Sequence, residues 1–333
     1  MGLQGTAIRT IFQTATSFGA AFDTLCQMSG ISPEEISDSE KMVEWEKAAL
    51  IWVPLLKLTG DPLIGLHVGI GTPKLLQGMV GFLIQSSKDI DQGLQILQQY
   101  GHMGSPMVEY RYTVNDKAVL EIEQNKMWTM KYPEPARHAN DFLIAAIINT
   151  INSLTGKNIV PLRIELTNEM REISEYRKFF GCEVLFNKDV NRIILNKEDV
   201  SIPLLTSDQS MFQIFSAIVA DKQALLETNS ASENLKQVLF MQFKGRIPTI
   251  EEAASALNTT PRNLQRKLLQ EKASFRDIAG EVRKDIAVQL MQNPAIKISE
   301  VSDILGYSDL TAFRKAFKSW TNTSPRAMRK GSV

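Results

Sequence analysis

Two short stretches of the chain carry side chains able to read the edges of base pairs. In TPRNLQRKLLQ, residues 260–270, Arg262, Asn263, Arg266 and Gln270 fall within nine positions. In YSDLTAFRKAFK, residues 307–318, Thr311, Lys315 and Lys318 fall within eight. Arg and Lys donate to the guanine acceptors, Asn and Gln suit adenine, and a Thr methyl meets the thymine methyl. That chemistry needs the side chains on one face of a rigid element. At 100° per residue, turning Leu264 and Leu268 inward sends Arg262 and Arg266 outward, flanked by Asn263 and Gln270. Turning Phe313 and Phe317 inward does the same for Thr311, Lys315 and Lys318. Arg262, Asn263, Arg266, Gln270, Thr311 and Lys315 are therefore the candidate base contacts. Thr260, Ser308, Arg314 and Lys318 are the candidate phosphate contacts, being at or beside the helix starts or off the central face.

The segments that precede these helices repeat. TIEEAASALNTTPRNLQRKL aligns with KISEVSDILGYSDLTAFRKAF, setting Ile250 over Ile298, Ala253 over Val301, Leu257 over Leu305 and Asn258 over Gly306. Each copy reads as helix, tight turn, helix. Gly and Asn tolerate the left-handed backbone of such a turn, and Ala253, Ala254 and Ser302 are small enough for close helix approach. One such match is weak, since any antiparallel helix pair imitates it. Two in tandem, both cationic outward, define a paired helix-turn-helix. The first covers about 249–270 and the second about 298–320, joined by a helix at 274–291. That helix spans about 27 Å at 1.5 Å per residue, close to the roughly 34 Å between successive major-groove faces.

Residues 233–330 resemble the C-terminal DNA-binding domain of the AraC/XylS family of bacterial transcription regulators. The stretches that carry the resemblance are LNTTPRNLQRKL, FRDIAGEVRKDIAVQLM and ISEVSDILGYSDLTAFRKAFKSWTNTSPRAMR, closing on Ser324, Pro325 and Arg329. The resemblance implies that Arg266 and Lys315 take the base-contacting positions of the two recognition helices. Lys315 departs from the Arg common in the family and gives up bidentate geometry; Asn258 stands where Gly is usual. A looser resemblance covers 1–205. TGDPLIGLHVG, LQILQQYG and LRIELTNEMREISEYRKFFGCEVLFNKDVNRIILNKEDVSIPL are similar to the arabinose-binding-type sensor of one branch of the family. It implies a domain that binds a small molecule or mediates dimerisation, without naming sugar as the ligand.

The residues before 205 mix two periods. Helical spacing fills most of the first hundred, with stops at Gly30 and Gly101, a capped start at SPEEI and a helix expected over 39–58. MVEYRYTVNDKAVLEIEQ (107–124) then alternates about Asn115-Asp116, as a hairpin does. A long helix is expected at 134–155, strands at 161–167 and in CEVLF and NRIILN, and a helix at 168–180. A connecting helix follows at 208–228, with ETNSASEN (227–234) as the linker candidate. The fold expected is an α+β N-terminal sensor or dimerisation domain (1–205), a connecting helix and linker (206–232), and an all-α C-terminal domain with two helix-turn-helix motifs (233–333).

Charge divides along the same line. The whole chain is neutral, with 37 Lys or Arg and 37 Asp or Glu in 333 residues. Residues 233–333 hold 17 basic and 10 acidic residues, leaving 20 and 27 for the rest. A basic tail on an acidic body fits a polyanion met by the tail alone. No apolar run reaches the length of a membrane span and no signal pattern opens the chain, so a cytoplasmic protein is expected. Cys26 and Cys182 have neither disulfide-framework nor metal-ligand spacing, and His67, His102 and His138 are scattered. No metal or cofactor is expected. Nucleophile-elbow, phosphate-loop, dinucleotide and zinc-protease motifs are all missing, and GIGTPKLLQG (69–78) lacks the Gly-Lys-Ser/Thr ending. No catalytic residue is assigned.

The sequence reading is a DNA-binding activator controlled by an effector, with double-stranded DNA, RNA polymerase and a second copy as partners. Tyr110, Tyr112, Trp128 and Tyr132 are the candidate effector contacts, against the plainer reading of aromatic core and cross-strand pairs. YRKFFGCEVLF is a second candidate wall, against a helix simply packed on a strand. The competing functions are a ligand-independent dimeric regulator, a DNA-modifying enzyme with an accessory helix-turn-helix, and a structural helical module.

Overall fold

The computed structural model describes residues 2–38, 41–72, 78–169, 172–227, 230–241, 243, 248–257, 259–293 and 296–330. Two compact units emerge: Met1–Gln124 with Tyr132–Asp221, and Asn125–Lys131 with Lys222–Val333. Among the described residues no single helix is long and apolar enough to cross a membrane.

The first unit mixes helices with two sheets. β1 (Gly2–Gln4) and β2 (Met42–Glu44) pair antiparallel, with Leu3 opposite Val43. Between and after them run α1 (Gly5–Ala15), α2 (Phe22–Ser29), α3 (Pro33–Ser37), α4 (Trp45–Leu50) and α5 (Trp52–Thr59). The single helix expected over 39–58 is thus a strand and two helices. Pro54, in the first turn of α5, lacks the N–H that would continue α4. Next come α6 (Ile64–Gly71), α7 (Gly78–Gln85) and α8 (Ile90–Tyr100). Ser32 and Glu35 close a capping box on α3, and Asp89 caps α8 by accepting from the Gln92 N–H. Half of GIGTPKLLQG, 73–77, lies outside the described residues; Gly71 ends α6.

The larger sheet has the order β3-β4-β7-β5-β6, all antiparallel except β5 with β6. Its strands are β3 (Val108–Val114), β4 (Lys117–Gln124), β5 (Arg163–Glu165), β6 (Glu183–Leu185) and β7 (Asn191–Asn196). The hairpin turns at Asn115-Asp116 as its sequence demands, and Val108, Tyr110 and Tyr112 alternate inward. Helix α9 (Lys126–Lys131) belongs to the second unit; α10 (Pro133–Thr155), α11 (Ile173–Phe180) and most of α12 (Gln209–Glu227) belong to the first.

Helix α10 is the spine of that unit, and α6 lies directly against it. A Cβ at Gly65 would sit 2.1 Å from the His138 carbonyl oxygen, and one at Gly69 would sit 2.7 Å from the Ala145 Cβ. Glycine is what lets the two backbones close. The first turns of α10 also bury polar groups. Asp141 accepts from the Tyr176 hydroxyl (2.8 Å), the Asn168 amide (2.8 Å) and the Arg137 guanidinium (3.3 Å). Burial outweighs these donors and pushes the Asp141 carboxyl up to about 7. Such a network is worth its desolvation only when partnered, and here it pins α10 to α11 and to the chain after β5.

Among its described residues the second unit has helices and no strand. α13 (Ala231–Met241) opens inside the stretch expected to be linker. α14 (Ile250–Ala256), α15 (Pro261–Gln270), α16 (Phe275–Met291), α17 (Ile298–Ile304), α18 (Leu310–Thr321) and α19 (Pro325–Lys330) follow. Helix α13 packs on α14, α15 and α16, while α16 also meets α17, α18 and α19. One helix therefore serves two small cores. Leu235, Leu264, Leu268 and Ile278 are buried around its first half, and Leu290, Val301, Phe313 and Phe317 around its second.

Candidate nucleic-acid interface

Each outward-facing helix starts where its sequence sets a cap. Thr260 accepts from the Asn263 N–H at 3.2 Å with Pro261 in the first turn, and α15 begins there. Asp309 accepts from the Ala312 N–H at 2.8 Å, and α18 begins there. The turn before α18 passes through Gly306 at φ +71°, a backbone that an L side chain adopts only with strain. Asn258, the matching turn residue of the first copy, lies outside the described residues. Capping boxes start α14 (Thr249 with Glu252) and fix the preceding helix of the pair.

Burial then sorts the side chains. Leu264 and Leu268 on α15, and Phe313 and Phe317 on α18, are buried to 2 % exposure or less. Arg262, Arg266 and Gln270 are exposed, as are Thr311, Arg314, Lys315 and Lys318; Thr260 and Ser308 are exposed at the starts. Asn263 is half-buried, and its position is specific. Its amide donates to the Thr259 hydroxyl at 2.8 Å, and its carbonyl oxygen accepts from the Arg266 guanidinium at 2.9 Å. The guanidinium is thus held over the centre of the outward face before any partner arrives. On α18, backbone N–H groups hold the Asp309 carboxyl below its usual range, led by that of Ala312, with Lys315 adding to the effect. A phosphate at that helix start would meet a charge of its own sign.

The second pair is braced from behind. Tyr307 packs edge-on to Phe313 with ring centres 5.6 Å apart, and the Arg283 guanidinium sits 4.9 Å over the Tyr307 ring. Arg329 of α19 donates to the Ile296 carbonyl oxygen just before α17. At the other end of the unit, the Glu271 carboxylate accepts from the Ala231 and Ser232 N–H groups and the Ser232 hydroxyl. These donors outweigh burial and hold Glu271 below its usual range. Sequence reasoning passed over Leu269, which is 76 % exposed and lies on the same face as Arg266. An apolar residue outside the inward Leu264–Leu268 spacing was the signal that could have found it.

The aromatic candidates of the N-terminal half are divided between the two units. Tyr110 and Tyr112 are neighbours on the covered face of β3, where the Tyr112 hydroxyl donates to Asp91 at 2.9 Å. Burial raises the Tyr110 hydroxyl well above its ordinary range. Tyr132 stands beside Trp45, ring centres 6.2 Å apart, and Trp128 is buried in the second unit. In YRKFFGCEVLF, Tyr176 and Phe180 are buried under α11 beside β6, and Tyr176 meets Phe186 edge-on at 5.3 Å. That is a helix packed on a strand. Cys182 is half-buried with its thiol pushed up to about 11, chiefly by burial, which leaves little thiolate for chemistry. Among the described residues no cluster of His, Cys, Asp or Glu is arranged to hold a metal ion.

Two helix-turn-helix pairs on one shared helix, each with a polar, cation-bearing second helix, define a DNA-binding protein of the double helix-turn-helix class. Comparison with known proteins agrees. Residues 19–204 match the arabinose-binding domain of AraC transcription regulators, an N-terminal domain, and residues 253–331 match a helix-turn-helix domain. The chain belongs to the AraC family of transcription regulators. It is 24 % identical over 332 residues to the HTH-type transcriptional regulator Rv1395 of Mycobacterium tuberculosis, spanning 96 % of this chain and 94 % of that one. It is 21 % identical over 324 residues to the ornithine utilization regulator of Pseudomonas aeruginosa, with the same coverage. Among solved structures it is similar to the transcriptional regulator CdpR of Pseudomonas aeruginosa, at 21 % identity and a TM-score of 0.43, covering 92 % of this chain and 96 % of that one.

Proposed function

We propose that this regulator activates transcription from promoters whose major groove it reads with α15 and α18, under control of a small molecule bound by its N-terminal unit. The carrying observation is the separation of faces. Leu264, Leu268, Phe313 and Phe317 are buried, and Arg262, Arg266, Gln270, Thr311 and Lys315 are all exposed. Arg266 and Lys315 contact bases, with Arg262, Gln270 and Thr311 beside them; Asn263 aims Arg266 and also reaches the groove. Leu269 adds an apolar contact suited to a thymine methyl. Thr260, Arg314 and Lys318 meet phosphates, while Ser308, whose hydroxyl donates to the Asp309 carboxylate, is not assigned one. The protein works in the cytoplasm, where its promoters are.

A second copy is the further partner. On α12, Met211, Ile214 and Ile218 stand 46 %, 53 % and 38 % exposed on one side, an apolar stripe able to pair with itself about a two-fold axis. Sedimentation of the full chain tests this: Ile214→Glu should shift a dimer to monomer, and a wild-type monomer at all concentrations would exclude it. The primary experiment is genomic footprinting of bound sites, followed by titration of the recovered duplexes and transcription with RNA polymerase. Specific affinity that falls steeply with salt is expected. A flat salt response, or no preference for recovered sites over random duplex, would remove the reading; repression by bound protein would replace activation.

A further inference from the structure

The N-terminal unit contains a cavity that DNA reading does not use. It lies between Ile84 of α7, Leu94 and Leu97 of α8, Ile147 and Ile151 of α10, and Leu204 of the chain entering α12. Its interior is about 40 Å³, or about 400 Å³ with the solvent of its open mouth included; Thr150 of α10 completes the wall, and no polar atom faces the space. Water finds no partner in such a space. A sugar would fare no better, since each buried hydroxyl would lose its hydrogen bonds. An alkyl group fits the chemistry.

Gly93, also in the wall, supplies an independent sign. It sits in the interior of α8, where glycine weakens a helix relative to alanine. Gly65 and Gly69 are forced by a neighbouring backbone, but Gly93 is not. A Cβ there would meet a single atom within 4 Å, the Ile84 Cγ2 at an ordinary 3.5 Å. Packing would accept alanine, and what glycine preserves is the open space. The wall at Leu204 has its own significance. The Ile202 carbonyl accepts from the Ile90 N–H, and the Leu204, Leu205 and Asp208 N–H groups donate to the Lys88, Leu154 and Ser86 carbonyls. The segment that starts α12 is thus stitched to α8, α10 and the end of α7 around the cavity.

We infer that this cavity receives a short alkyl group of the effector, its polar end at the mouth, and that occupancy is transmitted to residues 202–208 and so to α12. This rests on the effector reading above and names the ligand class. The test uses the full-length protein with straight-chain primary alcohols of four to ten carbons, and L-arabinose as a polar control. Affinity should tighten about fourfold per methylene until the cavity is full, then level off. Amide exchange at Leu204, Leu205 and Asp208 should slow with the same length preference. Gly93→Ala alone should raise the unfolding midpoint by about 2–4 °C while weakening the best alcohol about tenfold. Leu97→Ala should move the preferred length upward.

Affinity independent of chain length, or a length preference that neither variant moves, overturns the cavity assignment. Tight, length-selective binding with unchanged exchange at 202–208 overturns the transmission. If a polar metabolite alters operator affinity while every alcohol is silent, this inference fails and effector control stands on another site. If the alcohols bind as expected but no ligand ever alters operator affinity, the effector reading fails separately.

Discussion

Arg266→Ala is the sharpest test of the groove assignment. Arg266 lies at the centre of the outward face of α15, opposite Leu264 and Leu268, with one fixed contact, the 2.9 Å hydrogen bond to Asn263. Removing it breaks no core packing, so stability should change by no more than about 0.5 kcal/mol. Binding should change far more, because a bidentate Arg–guanine contact discriminates by about 1–3 kcal/mol. That corresponds to roughly 5- to 150-fold in Kd on the operator. The assay is fluorescence anisotropy of the full-length protein against a footprinted operator, each single-base variant of it, and unrelated duplex. The loss should concentrate at one base pair and leave unrelated duplex nearly unaffected. Asn263→Ala should give a smaller loss at that same position, since it frees the guanidinium without removing it. Unchanged operator affinity would refute the assignment. An equal loss on every duplex, with the salt slope reduced by about 0.9, would reassign Arg266 to phosphate.

The other expectations concern stability. Phe313→Ala removes a fully buried ring packed between Tyr307 and Phe317. It should cost about 3–5 kcal/mol in urea unfolding followed by helicity, and a loss under about 1 kcal/mol would contradict the packing. Asp141 is buried with its carboxyl raised to about 7 from 3.8, so the folded chain holds a proton there that the unfolded chain releases. Its contribution is present below about pH 4 and lost as pH rises through 7, at most about 4 kcal/mol at 1.36 per unit. The stability of wild type relative to Asp141→Asn should therefore decline from pH 4 to pH 8; parallel curves would refute the shift. Glu271→Ala removes the acceptor for the Ala231 and Ser232 N–H groups, and should cost about 1 kcal/mol with faster amide exchange at the start of α13. Unchanged exchange there would show the cap to be incidental.

The second unit was legible because its signals are local. Thr260-Pro261 and Ser308-Asp309 mark helix starts, Gly306 marks a turn, and Leu264, Leu268, Phe313 and Phe317 mark inward faces within single helices. The hairpin at Asn115-Asp116 was equally plain. What escaped depends on distant partners. β2 exists because Met42–Glu44 pairs with Gly2–Gln4, and nothing near residue 42 signals that pairing against the helical spacing around it. The Asp141 network joins residues 27 and 35 positions apart, and the cavity needs α7, α8, α10 and Leu204 together. Leu269 was overlooked because a periodicity argument credits apolar residues to the core, whereas this one falls off the buried stripe.

The side chains that hold α15 and α18 in place and those that meet solvent are disjoint sets on each helix. Substituting Arg262, Gln270, Thr311 or Lys315 alters what the surface says without touching what keeps it standing. Such a scaffold can be retargeted to new promoters one letter at a time, each intermediate still folded. The two halves can drift separately, for the strut they share, α16, contributes to both cores and carries none of the proposed base contacts.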